Sequence, residues 1–233
     1  MADSVPSPFA WPVLAGMAGI FLPLAVALIA RRSVRVDPVA HVALGWAVLG
    51  ALDVASLVLY VRYGPEVVRP ATFAPFVALI LFIPPLFHWL GPAVRRIRWP
   101  ALAFAVVLSS SGVALLGVER ALRAVASPVA RAVLAALSVA ALARCCWRSA
   151  RVPWRMDWFW VLLGMIVFYG VGIIWAPLTE YLVSRSWAAV VDLHMGMMLV
   201  HLGAYLLIAR GAALRPGAQA EPPRWTTAAS EVV

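Results

Sequence analysis

Seven apolar segments, each close to the length of a membrane-spanning helix, constrain the fold of this chain more than any other feature. They cover residues 9–30, 39–62, 70–91, 98–118, 128–146, 157–178 and 187–209. A helix needs about 20 apolar residues to cross the hydrocarbon core of a bilayer, and a backbone in that core must satisfy its own polar groups. We therefore expect an all-α fold, namely a polytopic membrane protein with a bundle of seven transmembrane helices.

Domain organisation follows from the same pattern. Residues 1–210 are predicted to form one transmembrane domain. Residues 211–233 are small, polar and rich in proline, which is typical of a disordered segment, and we interpret them as a cytoplasmic tail. Local signals support the helix starts, because Ser127 with Pro128 and Asp157 are typical of first turns.

The distribution of arginine predicts the orientation. The loops after the first, third and fifth predicted spans and the tail carry most of the arginines, whereas a minority, including Arg131, falls at the opposite ends of the spans. Basic residues are enriched in cytoplasmic loops. We therefore expect the N-terminus outside, the C-terminus in the cytoplasm and a multi-pass protein in the cell (inner) membrane.

Composition excludes several classes of function. The chain is 64% hydrophobic and 12% charged. Its net charge of +9 mostly reflects the arginines that mark the predicted cytoplasmic side. A nucleic-acid partner would need a basic face on a folded soluble surface, and the sequence predicts none. The chain has no lysine, which excludes a retinal Schiff base.

Ionisable residues within the apolar spans are the main functional signal, because such groups are costly in hydrocarbon and mark functional sites by default. Asp53 lies in the second span, and Asp192 and His194 lie in the outer half of the seventh. Trp46, Asp53 and Tyr60 recur at helical spacing on one face. Asp192 is about 200° from His194 around its helix, so only one of these two can face the centre of the bundle.

The histidines raise an alternative, a haem- or metal-binding membrane subunit. His88 and His201 lie at matching depth in the inner half, which permits a haem between them. His194 and His201 are about 10 Å apart along their helix, too far to share one metal ion. We therefore predict no metal site and no cofactor, and keep haem as an alternative.

A compact bundle with an acid deep in the second helix, Asp53, and another in the last, Asp192, resembles the small integral-membrane terpene cyclases of meroterpenoid and indole-diterpene pathways. That family is similar in length and helix count. Its implicated catalytic groups are one acidic residue on each of those helices, so the resemblance implies catalytic roles for Asp53 and Asp192. Fungal members tend to have glutamate where this chain has Asp53.

Acid-initiated cyclisation of a polyprenyl chain needs a protonated carboxylic acid, and a low dielectric favours that neutral form. Asp53 is the expected proton donor to a lipophilic substrate within the lipid bilayer. Aromatic faces would stabilise the cationic intermediates. The residues expected to bind substrate are Trp46, Tyr60, Phe73, Phe76, Tyr169, Trp175 and His194.

The competing interpretation is a non-enzymatic seven-helix membrane sensor, regulator or transporter subunit. Pro84 and Pro85 are expected to break the third span, and transporters use such breaks as hinges. The sequence specifies no oligomeric state.

Overall fold

The computed structural model describes residues 11–30, 37–64, 73–91, 127–149, 152–183 and 185–214, and all regular structure within them is helical. A single 3-10 turn covers Pro153–Arg155. The helices are α1 (Trp11–Gly19), α2 (Leu22–Ala30), α3 (Pro38–Tyr63), α4 (Ala74–Leu90), α5 (Ser127–Arg148), α6 (Asp157–Val183) and α7 (Trp187–Ala213). The predicted all-α fold is confirmed for these residues. The predicted fourth span, 98–118, and the predicted tail from residue 215 lie outside them.

Four of the described helices are long and apolar enough to cross a membrane. The qualifying stretches are Pro38–Tyr63, Ser127–Arg148, Asp157–Trp175 and Ala189–Ala213. Two shorter apolar stretches, Ala15–Ala30 and Phe76–Leu90, correspond to the first and third predicted spans.

The long helices begin where the sequence places capping residues. The Asp37 carboxylate accepts a hydrogen bond from the backbone N–H of Val39 at 2.9 Å, with Pro38 in the first turn of α3. The Asp157 carboxylate accepts from the N–H of Trp158 at 2.7 Å, and the Ser186 hydroxyl accepts from Ala189 at 3.3 Å. Each cap satisfies an N–H that has no partner within its helix.

The first predicted span is not one continuous helix, which corrects the sequence interpretation. It is interrupted at Ile20 and Phe21, between α1 and α2. Pro23 has no N–H to donate to the carbonyl one turn earlier, and the Phe21 N–H instead bonds the carbonyl of Ala18, three residues back, at 3.2 Å. A tight turn therefore joins the two short helices.

The third predicted span is a continuous helix where a break was predicted. Pro84 and Pro85 lie inside α4, which continues as a helix to Leu90. The predicted break is therefore wrong. Two prolines remove two backbone hydrogen bonds, but the packing of α4 between α3 and α5 holds the helical path.

The described helices form a closed ring. Along it α2 packs on α3, α3 on α4, α4 on α5, α5 on α6, α6 on α7, and α7 returns to α2. Helix α3 also reaches α6 and α7 across the ring. The most intimate pair is α6 with α7, where a Cβ on Gly164 would lie 2.8 Å from the backbone carbonyl oxygen of Ala204.

Candidate functional site

A cluster of aromatic rings occupies the interior of the ring of helices. At its centre Trp46 of α3 is fully buried. Its ring centroid lies 5.2 Å from that of Phe82 on α4, 4.5 Å from that of Phe168 on α6 and 5.6 Å from that of Tyr205 on α7. Trp46 thereby joins four helices. The face of α3 on which Trp46, Asp53 and Tyr60 recur therefore points inward at Trp46.

Two further side chains complete this aromatic cluster. Tyr169 of α6 stacks on Trp46 at 5.8 Å between ring centroids, and the ring of His201 on α7 stacks on Phe168 at 4.2 Å. Tyr169 is 3% exposed and His201 is 8% exposed. The Tyr169 hydroxyl and His201 Nε2 are both buried without a hydrogen-bond partner among the described residues.

Asp53 lies at the edge of the aromatic cluster, about 10 Å along α3 from Trp46. At about 100° per residue, it falls in the middle of the face that buries Trp46, Gly50 and Ser56. Its side chain is nevertheless exposed. Asp53 therefore combines an inward direction with an accessible carboxyl group, which an acid that must meet a substrate requires.

Arg131 of α5 enters the same interior from the opposite side. Its Nη1 donates a hydrogen bond to the backbone carbonyl of Gly172 on α6 at 2.7 Å. Gly172 makes this approach possible, because a Cβ at that position would lie 3.0 Å from Arg131 Cδ and 3.3 Å from its Nε. The arginine that the sequence assigned to the outer end of a span therefore contacts α6 one turn from Tyr169.

These polar side chains are linked through the aromatic cluster. Tyr169 and Tyr205 both contact Trp46, and His201 contacts Tyr205. Arg131 bonds the Gly172 carbonyl one turn of α6 from Tyr169, and Asp53 lies two turns of α3 from Trp46. We call Asp53, Arg131, Tyr169, His201 and Tyr205 the cross-bundle cluster.

The structure separates the two predicted acids. Asp192 is exposed and shares its face of α7 with the exposed residues Gly196, Leu199 and Leu206. His201 and Tyr205 occupy the opposite, buried face. Of the two arrangements that the sequence allowed, the histidines therefore face the bundle and Asp192 faces away.

The other predicted site residues are distributed around the ring. His194 and Trp175 are half-buried and contact each other, with ring centroids 5.6 Å apart. Phe76 is half-buried in α4. Tyr60 and Phe73 are exposed by 37% and 45%, so they lie at the margin of the described helices and outside the aromatic cluster.

The two histidines proposed for haem do not share a site. His88 lies on the exposed side of α4, whereas His201 is buried against Phe168. Within the described ranges, no three histidine, cysteine, aspartate or glutamate side chains lie close enough together to hold a metal ion.

Sequence reasoning missed Arg131, Phe82, Phe168 and Tyr205 as residues of the site. A signal existed for Arg131, because an arginine inside an apolar span is itself a mark of function. For Tyr205 the signal was its position one turn beyond His201. Phe82 and Phe168 resemble any other core phenylalanine until the helices are packed.

Comparison with protein-family models, with curated proteins and with solved structures found no match to this chain.

Proposed function

We propose that this protein is an integral-membrane enzyme that cyclises a lipophilic polyprenyl substrate by acid-initiated chemistry, with Asp53 as the proton donor. The observation that carries the proposal is the position of Asp53. Its exposed side chain lies two turns of α3 from Trp46, on the face that buries this ring against rings of α4, α6 and α7.

The cross-bundle cluster suits each step of such a reaction. The Asp53 carboxyl would transfer its proton to a terminal carbon–carbon double bond, leaving a carbocation. Electrons of a second double bond then form the new ring bond, and the final cation returns a proton to the Asp53 carboxylate. The product is an isomer of the substrate, so the step needs no oxidant and no leaving group.

Carbocations also need stabilisation without a nucleophile, and aromatic faces supply it through cation–π attraction. Tyr60, which is 37% exposed on the face of α3 that carries Asp53, presents such a ring. The proposal gives the proton transfer to Asp53 alone, since Asp192 lies on the exposed face of α7.

The proposal includes a membrane topology of seven spans in the cell membrane, with the N-terminus outside and the C-terminus in the cytoplasm. Four described helices of sufficient length and hydropathy support it. The arginine distribution supports its direction.

The direct test is Asp53→Asn in membranes supplied with farnesyl- and geranylgeranyl-type substrates. The amide keeps the shape of the side chain but has no transferable proton, and general acids contribute roughly 10²–10⁴-fold to rate. We expect cyclised product, measured by mass spectrometry, to fall by that order while protein yield and melting temperature change little. Asp192→Asn is the matched control and should retain most of the activity.

Full turnover by Asp53→Asn would place the proton donor elsewhere. Failure of the variant to accumulate in the membrane would assign Asp53 a structural role in helix packing instead.

A second candidate function is a transporter or sensor subunit. It is favoured by one observation, that Asp53 on α3 and Arg131 on α5 lie within apolar helices without an ion pair between them in the described part of the chain. Ionisable groups so placed mark ion and proton pathways in membrane proteins. Proton uptake by reconstituted liposomes that is lost in Asp53→Asn, with no cyclised product from the parent protein, would favour this function.

A further inference from the structure

Arg131 has more hydrogen-bonding capacity than the described residues use. A guanidinium carries five N–H donors, and among the described residues Arg131 makes one hydrogen bond, to the carbonyl of Gly172. The side chain is half-buried and lies between α5 and α6, where a charge is costly unless it is paired.

Two neighbouring polar groups also have unused hydrogen-bonding capacity among the described residues. The Tyr169 hydroxyl and His201 Nε2 are buried and lack hydrogen-bond partners in the described part of the chain, and the His201 ring stacks on Phe168, the residue before Tyr169. Tyr169 is one turn of α6 from Gly172, on the side that faces Trp46. A buried polar atom without a partner is rare in native proteins and calls for an explanation. Here two of them lie beside an under-used guanidinium.

We propose that Arg131 and the Tyr169 hydroxyl form an anion-binding subsite, with His201 beside it, that holds the phosphate or carboxylate head of a lipophilic ligand. This rests on the proposed function and names its substrate class, an isoprenoid with an anionic head. Guanidinium groups bind these oxyanions through paired N–H donors. The hydrocarbon chain then extends from Arg131 toward the exposed Asp53 side chain.

The placement has a chemical consequence. In this proposal the head is held at Arg131 and the chain extends toward Asp53, so the acid meets the chain away from its head. Protonation of the distal double bond leaves the head uncleaved. The product therefore keeps its phosphate or carboxylate group.

The test measures binding of farnesyl diphosphate and of farnesol to the full-length protein in phosphatidylcholine nanodiscs. Asp53→Asn is included as a background that binds without turnover. We expect the diphosphate to bind at least about tenfold more tightly than the neutral alcohol, since hydrogen bonds to charged groups are worth about 1.5–3 kcal/mol. Arg131→Gln should abolish this preference, and Arg131→Lys should restore part of it. A preference that survives Arg131→Gln would overturn the subsite.

Tyr169→Phe provides a second variant that removes only one oxygen atom and is expected to leave folding intact. It should reduce the preference for the diphosphate several-fold. If Tyr169→Phe and Gly172→Ala, which displaces Arg131, both retain the full preference, the subsite is overturned even where Arg131→Gln does not fold.

The same preparations separate this inference from the proposed function. An Arg131-dependent preference without any cyclised product supports the subsite and contradicts the cyclase. The opposite outcome is cyclisation of a neutral polyprenoid by a protein whose diphosphate preference is unchanged in Arg131→Gln. It would support the cyclase and contradict the subsite.

A phospholipid phosphate offers the same chemistry as a prenyl diphosphate. Nanodiscs containing phosphatidylglycerol distinguish the sources. Competition with farnesyl diphosphate in the parent protein, absent in Arg131→Gln, would assign the subsite to a lipid headgroup, whereas lack of competition would assign it to the isoprenoid.

Discussion

At the scale of single residues, Trp46 connects four helices through its ring contacts. It is fully buried and its ring contacts those of Phe82, Phe168, Tyr169 and Tyr205. A residue that touches four rings on three other helices couples their positions. In the proposed cyclase, a change at Trp46 would therefore alter helix packing and activity together.

Truncation of Trp46 should therefore act on stability first. Trp46→Ala is expected to cost about 3–5 kcal/mol, the usual range for removing a large buried aromatic side chain. Thermal unfolding in detergent, followed by near-UV circular dichroism, measures it. Trp147→Ala is the matched control, because Trp147 is 93% exposed and surface changes usually stay within about 0.5 kcal/mol. Equal melting temperatures for the two variants would show that the aromatic cluster is not packed as described.

Gly172 tests the position of Arg131 without changing a charge. In Gly172→Ala the new methyl group would lie 3.0 Å from Arg131 Cδ, so the arginine must move and its hydrogen bond to the Gly172 carbonyl weakens. We expect a loss of about 1 kcal/mol of stability, the typical net value of a hydrogen bond. The melting temperature of Gly172→Ala in the Arg131→Gln background should fall less than in the parent protein, because the displaced guanidinium is then gone. Equal losses in both backgrounds would contradict this contact.

At the scale of helices, the close approach of α6 and α7 depends on Gly164. In Gly164→Ala the Cβ would meet the Ala204 backbone oxygen at 2.8 Å and Ile208 Cγ1 at 2.6 Å. A backbone atom cannot rotate away, so the helices must separate. Overpacking of this kind costs about 1–3 kcal/mol.

Gly170 of the same helix is the matched control, because no atom of the described residues lies within 4 Å of a Cβ placed there. In Gly170→Ala only the helix propensity changes, which favours alanine by about 0.5–1 kcal/mol. Opposite shifts in melting temperature are thus expected for the two variants. A stabilised Gly164→Ala protein would show that α6 and α7 are further apart than described.

The helices also show what the sequence predicts well. Spans predicted at 39–62, 128–146, 157–178 and 187–209 correspond to α3, α5, α6 and α7, because apolar length and capping residues are local signals. Neither the turn at Ile20 nor the continuation of α4 through Pro84 was predicted. Both depend on the balance between lost backbone hydrogen bonds and packing against neighbouring helices, which no local pattern records.

The site was predicted less completely for the same reason. Asp53 and Trp46 were found from spacing on one helix. Asp192 was placed with Asp53 because both are acids in apolar spans, but the rotation of α7 is set by its contacts with α1, α2 and α6. Arg131 joins the site only through Gly172 on another helix.

At the scale of the whole molecule, the proposed topology predicts where each loop lies. Reporter fusions at Arg155 and after Leu214 should report the cytoplasm. Fusions at Gly64 and Arg185 should report the outside. Alkaline phosphatase, active outside, and green fluorescent protein, fluorescent inside, give complementary readings at each position. An even number of spans, which would place the C-terminus on the outer side with the N-terminus, would overturn the seven-span arrangement.

The contact of α2 with α7 joins the beginning of the chain to its end, and this sets an order of assembly. Helices leave the ribosome one after another, so α2 gains its α3 neighbour early and its α7 neighbour only after α4, α5 and α6 have also been made. Until then the described helices form an open arc with an interior that is not yet enclosed. Of the described helices, α7 is thus the one that closes the ring, and Asp53 and Arg131 are both made before the interior around them is complete.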